Sequence, residues 1–202
     1  MSWRVWGMPG LGGRIVHFGI QRPIGEGAVR KVLFIFSVLS DSDVEWLATT
    51  GERMHLDPGN VLIPVGARVE NLYFVLDGRL VVKTKAGDPI AFLESGEIIG
   101  EMSLVDPAPT TVSVEVASES TVLRLSDATV REKLETDLGF ASRFYRALCV
   151  FMADRMRQTT QRFGYGKASD DKNAKDELND DLLDNVHLAG ARFDRMLRRL
   201  AG

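Results

Sequence analysis

The sequence predicts a mixed α and β fold, mostly antiparallel, in which a β sandwich or barrel is flanked by helices. Three observations carry this. Short β-branched and aromatic runs alternate with Gly, Asp and Pro turns from about Glu52 to Leu125. Apolar residues return at steps of three and four over Leu138–Phe163 and again over 179–200. Capping residues stand where helix meets sheet, Ser40 on one side and Ser126 on the other.

Size and composition bound the rest. The chain has 202 residues, room for one domain with helical extensions. Hydrophobic residues make up 45% and charged residues 26%, a globular balance that can bury a core. A net charge of -3 gives no basic field for nonspecific nucleic-acid binding. The single Cys149 cannot form an internal disulfide, and no Cys/His cluster has zinc spacing, which fits a reducing cytoplasm and no metal site. No stretch approaches the roughly 20 apolar residues of a membrane span. The apolar N-terminus is interrupted at Gly10, Gly12, Gly13 and Arg14, so it does not read as a secretory signal.

Taken in order, residues 1–27 are dense in Gly and Pro and read as a flexible lead-in. Val29 to Phe36 reads as a first helix. Ser40 caps a second, with acids in its first turn and Val44, Leu47 and Ala48 as its buried stripe. Strands follow at Val61–Ile63, Leu72–Leu76, Leu80–Val82 and Val112–Val116, with Asp57-Pro58-Gly59 and Asp77-Gly78 as hairpin-type turns. Ser126-Asp127 caps a short helix at about 128–135. The long helix then shows two apolar stripes. Leu138, Ala141, Tyr145, Leu148, Met152, Met156 and Thr159 form one; Phe140, Phe144, Ala147 and Phe151 form the other. Two stripes need two surfaces, the β-domain and the same helix of a second copy, which predicts a homodimer through 138–163; burial of both within one monomer is the alternative. Residues 164–178 read as a polar linker. The last helix, in 179–202, carries Leu182, Val186, Ala189, Phe193, Met196 and Leu200 on one face. Its arginines at 192, 195, 198 and 199 suit the helix dipole, and its apolar face is a candidate docking element for a protein partner.

The glycines and one central run point to a family. Gly59, Gly66, Gly78, Gly96 and Gly100 are spaced through the β region, and Ile98 to Ala117 reads IIGEMSLVDPAPTTVSVEVA. This series, covering roughly residues 30–163, resembles the cyclic nucleotide-binding domain of the catabolite activator family and of protein kinase regulatory subunits. The resemblance implies an antiparallel β-roll, jelly-roll-like, of about eight strands, within a domain over 28–163 that includes the long dimerisation helix. It implies that Gly100, Glu101, Met102, Ser103 and Leu104 form the short helix of a phosphate-binding cassette, whose amides suit an anion. Glu101 aligns with the acid that bonds a ribose 2′-hydroxyl. Pro109, Thr110 and Thr111 complete the implied ligand site, and cyclic AMP or cyclic GMP is the implied ligand. The chain departs from the pattern at Thr110, where the family carries an Arg for the cyclic phosphate. Losing such a charge-assisted contact typically costs roughly 1.5–3 kcal/mol, about 10- to 150-fold in affinity. Nothing in the sequence places Arg68, Arg79 or Arg124 at the phosphate.

Other chemistries find less support. One Cys is too few for an iron–sulfur sensor, and His17, His55 and His187 are isolated. Only 39 residues follow Phe163, too few for the winged helix-turn-helix of transcriptional relatives, so no direct DNA binding is expected. No catalytic constellation stands out. The expectation is a regulatory ligand-binding module rather than an enzyme, with a ligand-free dimeric scaffold as the alternative.

Overall fold

The computed structural model describes residues 35–162 and 180–201. The lead-in over 1–27, most of the first expected helix and the linker over 164–178 lie outside the described residues. Residues 35–38 form a helical turn. Helix α1 follows at Asp41–Thr50 and opens on a capping box: the Ser40 hydroxyl accepts from the Asp43 amide, and the Asp43 carboxylate accepts from the Ser40 amide at 2.7 Å. Val44, Leu47 and Ala48 are buried as the periodicity predicts.

The strands are β1 (Glu52–Leu56), β2 (Val61–Ile63), β3 (Asn71–Lys83), β4 (Pro89–Glu94), β5 (Ile98–Ile99) and β6 (Ser113–Ser126). A short 3-10 helix, Glu101–Leu104, follows β5. Three α-helices complete the described chain: α2 (Asp127–Thr136), α3 (Leu138–Arg162) and α4 (Asp180–Ala201). The sheet order is β1-β6-β3-β4, with β2 also on β6 and β5 also on β3, all antiparallel. This is the flanked antiparallel β-roll that the sequence predicts, but it has six strands rather than about eight.

Two long strands account for the smaller number. The expected strands at Leu72–Leu76 and Leu80–Val82 are one strand of 13 residues, and Asp77-Gly78 is not a hairpin turn. The β3–β6 register slips at Asp77 and Arg79, so this stretch is a bulge that bends the strand without ending it. Gly78 has φ +93°, and a Cβ there would collide with Ser120 and the Glu119 carbonyl. Asp57-Pro58-Gly59 does turn the chain, yet β1 and β2 both pair with β6 and not with each other. The Thr84–Asp88 turn closes the hairpin between β3 and β4.

Strand alternation splits the apolar residues between two cores. Tyr73, Val75 and Leu80 point into the roll, with Val114, Val116 and Val122. Leu72, Phe74 and Leu76 point the other way, onto the helices. Both faces of β3 are covered there, which is why Leu72–Leu76 carries no charged residue. Phe140, Phe144, Ala147 and Phe151 of α3 are buried in the helix-side core. The other α3 stripe divides: Leu148 is buried, while Leu138, Tyr145 and Met156 are 79%, 42% and 73% exposed. Cys149, which reads in sequence as a small core residue, is exposed beside them.

Helix α4 packs on α1 and on residues 35–39, burying Ala189, Phe193 and Met196. Arg192 and Arg195 bind Asp41, and Arg199 pairs with Glu45. These arginines therefore anchor α4 to the domain, beyond the dipole and solubility roles their positions suggest. Among the described residues no helix is long and apolar enough to cross a membrane.

Two glycines of equal φ sign test the bulge. Gly59→Ala, with open space around its φ of +87°, is expected to cost about 1 kcal/mol from the left-handed backbone alone. Gly78→Ala adds the clash with β6 and is expected to cost at least about 3 kcal/mol. Urea unfolding of both variants checks the difference; equal losses would show that β6 can move aside.

Candidate functional site

The cassette region is built where β5 leaves the sheet. Ile98 and Ile99 are buried and pair with Phe74 and Tyr73, which fixes the chain against the centre of β3. Gly100 then turns sharply at φ +87°, and a Cβ there would run into the Asn71 carbonyl. The turn points Glu101 inward, where it is only 3% exposed. A carboxylate at that depth needs a partner. Arg155 of α3 supplies it: Nη1 donates to Glu101 Oε1 at 2.6 Å and Nη2 to the Ile98 carbonyl at 3.3 Å. The same guanidinium lies 3.9 Å from buried Glu97 and stacks on the Phe151 ring. Burial pushes the Glu101 carboxyl above the ordinary glutamate range; Arg155 opposes the rise and Glu97 adds to it.

The remaining predicted site residues fall into two groups. Ser103 is buried, its hydroxyl donating to the Gly100 carbonyl at 2.6 Å and its carbonyl accepting from Arg131 of α2. Met102 projects outward at 59% exposure. Pro109 and Thr111 are exposed. Thr110 is tied to the segment before β3: its hydroxyl donates to the Pro64 carbonyl at 2.8 Å, its amide to Ala67, and its carbonyl accepts from Gly66. Val69, further along that segment, and Asn71, the first residue of β3, lie where a Cβ on Gly100 would meet them. One stretch, residues 66–71, thus runs against both ends of the cassette, and Arg68 stands within it with its side chain exposed. Arg79 instead pairs with Glu94 and stacks on Phe92, and Arg124 pairs with Glu52.

Arg155 is the residue at the cassette that the sequence reading did not single out. Its signal was available: the buried stripe Phe140, Phe144, Ala147, Phe151 continues by four residues to Arg155. A cation at the end of an apolar helix stripe requires a buried anion opposite. Among the described residues no group of three or more His, Cys, Asp or Glu is placed to hold a metal ion. His55 shares a hydrogen bond with Thr121 at 3.1 Å.

Comparison with known proteins agrees with this fold. Residues 53–137 match the family model described as cyclic nucleotide-binding domain. A cyclic nucleotide-binding domain from Methylobacillus flagellatus KT superposes with a TM-score of 0.60 at 20% identity, covering 70% of this chain and 88% of that one. The N-terminal domain of a transcriptional regulator from Streptomyces coelicolor A3(2) gives 0.53 at 27% identity, covering 64% and 95%. NTE family proteins of Mycobacterium bovis and Mycobacterium tuberculosis are 30% identical over 125 residues, which is 62% of this chain and 21% of theirs. Residues 53–137 therefore match the cyclic nucleotide-binding domain model, and the fold is the one these solved domains share. The match spans about a fifth of the mycobacterial relatives' length.

Removing Arg155 tests the electrostatics. A carboxyl whose folded pKa is raised contributes stability that is full below its unfolded value, near 4.5, and is lost as pH rises through the folded value. Without Arg155 that folded value rises further. Arg155→Met is therefore expected to lose about 1–3 kcal/mol at pH 8, a figure reduced because Arg155 is 38% exposed, and distinctly less at pH 5. Chemical denaturation at the two pH values measures this. An equal loss at both would mean that Glu101 is not the charge that Arg155 balances.

Proposed function

We propose that the chain is a regulatory module whose cassette senses a small nucleotide ligand and passes its occupancy to α3. The observation that carries this is the Glu101–Arg155 pair. It sets a buried carboxylate of the cassette, the acid aligned with ribose recognition, in direct contact with the long helix. A ligand hydroxyl that engages Glu101 acts on the same oxygens that hold α3. Binding then biases the position of α3 by its differential affinity for the two arrangements. Cyclic AMP and cyclic GMP are the first candidates. The Xanthomonas campestris regulator that shares the fold at 20% identity is described as c-di-GMP responsive, which adds a third. The fold and the cassette support regulation rather than catalysis. The mycobacterial relatives show that a stretch of this kind also occurs as a fifth of a longer chain. The lone thiol supports a reducing, cytoplasmic setting.

The same helix supports the homodimer. Leu138, Tyr145, Cys149 and Met156 lie on its exposed side at steps of seven, four and seven, the seam of a coiled coil, with partly buried Met152 between the last two. A second copy would cover that seam. In a parallel pair the two Cys149 residues face each other at a Cα separation of roughly 6 Å, within disulfide reach. Mild oxidation is expected to give a covalent dimer on a non-reducing gel, absent in Cys149→Ser. Sedimentation of a monomer at micromolar concentration would overturn the dimer.

A ligand-free scaffold is the second reading, and one observation favours it: Glu101 and the Thr110 hydroxyl are both already bonded within the chain. Calorimetric titration with cyclic AMP, cyclic GMP and c-di-GMP separates the two. The sensor reading expects wild type to bind, Glu101→Ala to lose binding, and Thr110→Arg to gain about 10- to 150-fold for a cyclic monophosphate. No heat from any nucleotide with wild type or Thr110→Arg leaves the scaffold.

A further inference from the structure

The last helix is connected to α3 by a short run of polar contacts that no family resemblance supplies. Arg192 of α4, with a side chain only 12% exposed, donates to the Asp41 carboxylate at 2.6 Å and to the carbonyls of Phe36 and Ser37 at 2.9 and 3.3 Å. Arg195 adds a second bond to Asp41 at 3.0 Å. These contacts grip both sides of Ser40, the N-cap of α1. Two residues past Asp41, the Asp43 carboxylate does two things at once. Its Oδ2 accepts from the Ser40 amide at 2.7 Å, closing the capping box, and from Arg143 Nε of α3 at 2.6 Å; its Oδ1 accepts from Arg143 Nη2 at 2.9 Å. Asp43 is only 3% exposed, so this forked pair is the polar bond between α1 and the first half of α3. The apolar layer runs in parallel: Phe193 lies 5.5 Å from Phe36, and Trp46 lies 5.2 Å from Phe140.

We infer that α4 is a strap on α3: its docking fixes the 36–43 turn, and that turn holds Asp43 in the geometry that binds Arg143. Release of α4 withdraws four hydrogen bonds from the turn, loosens the Ser40 cap, and lets the start of α3 move while the β-roll stays intact. A partner that captured the apolar face of α4 would then act on α3 through Arg143, twelve residues before the arginine that meets the cassette. The inference does not depend on which ligand the cassette takes, or on whether it takes one.

Hydrogen–deuterium exchange on the full chain tests it. Arg192→Met keeps the apolar stem and removes the bonds, so the domain stays folded. Exchange is expected to rise about tenfold in α4, in 36–43 and in 138–147, with the amides of 72–82 unchanged. In an Asp43→Asn background, Arg192→Met is expected to add nothing at 138–147, because the connection is already cut. Arg198→Ala, on the exposed side of α4, serves as the neutral control. Opening that stops at 36–43, an equal rise in 72–82, or additive effects of the two substitutions at 138–147 would each overturn the strap.

Discussion

The ladder between β3 and β6 is the constraint on which the rest of the molecule depends. It runs from Asn71↔Ser126 to Lys83↔Ser113 and carries every other strand on one of its two members. Its length makes the roll: two strands of 13 and 14 residues stay paired because bulges let them bend together. Its alternation makes the two cores. Its ends place the joins. Ser126, the last residue of β6, is also the N-cap of α2, and Ser113 at the other end fixes where the exposed chain from the cassette re-enters the sheet. The cassette hangs on this ladder through Tyr73 and Phe74, so Glu101 has a defined depth rather than a loop's freedom.

Depth then dictates the charges. Glu101 and Asp43 are both about 3% exposed, and each is met by an arginine from α3, Arg155 and Arg143, twelve residues apart on that helix. Burial raises the Glu101 carboxyl. At Asp43, burial also pushes upward, but Arg143 and the amide and hydroxyl of Ser40 outweigh it, and the carboxyl sits below its usual range. The contrast follows from bond number. Asp43 accepts three short bonds from donors fixed by a helix cap and a forked guanidinium, whereas Glu101 leans on one guanidinium that also serves the Ile98 carbonyl and Glu97. Asp43 is the fixed attachment of α3, and its contribution to stability is lost only as pH falls through its lowered pKa. Glu101 is the looser attachment, held against its own tendency to take up a proton.

What the sequence made legible was local or periodic. Ser40 and Ser126 cap helices because a hydroxyl ahead of an apolar period has few other uses, and both fall where expected. The helix stripes were readable for the same reason. The strand count failed at Asp77-Gly78, because Asp-Gly is a turn signal in sequence whether the chain reverses or merely bulges; only the β6 backbone beside Gly78 decides between them. Cys149 reads as a core residue because a small apolar side chain on an amphipathic helix suits a core, but its neighbour Leu148 takes the buried position and turns Cys149 to the surface. Of the site, Gly100 and Glu101 were visible through resemblance and Arg155 through its place at the end of the α3 stripe, but which anion meets that arginine, 54 residues away, leaves no local mark.

Thr110 and Arg155 together define what a ligand would meet. A family cassette meets an anion with an arginine on the cassette itself; here that place holds a hydroxyl already donating to Pro64. Arg155 is the cation seen at the acid end of the cassette, and it belongs to α3. On the sensor reading, charge recognition and helix position then become the same event. A phosphate that recruits Arg155 takes it from Glu101, and a hydroxyl that displaces it has to donate to the carboxylate in its place. Either exchange sets a bond to the ligand against a bond to the helix. The net affinity would be modest even where each contact is strong, because the free energy of binding is spent on the shift in α3. Weak binding with a large effect on α3 is thus the behaviour this arrangement favours, and tight binding that leaves α3 in place would contradict its geometry.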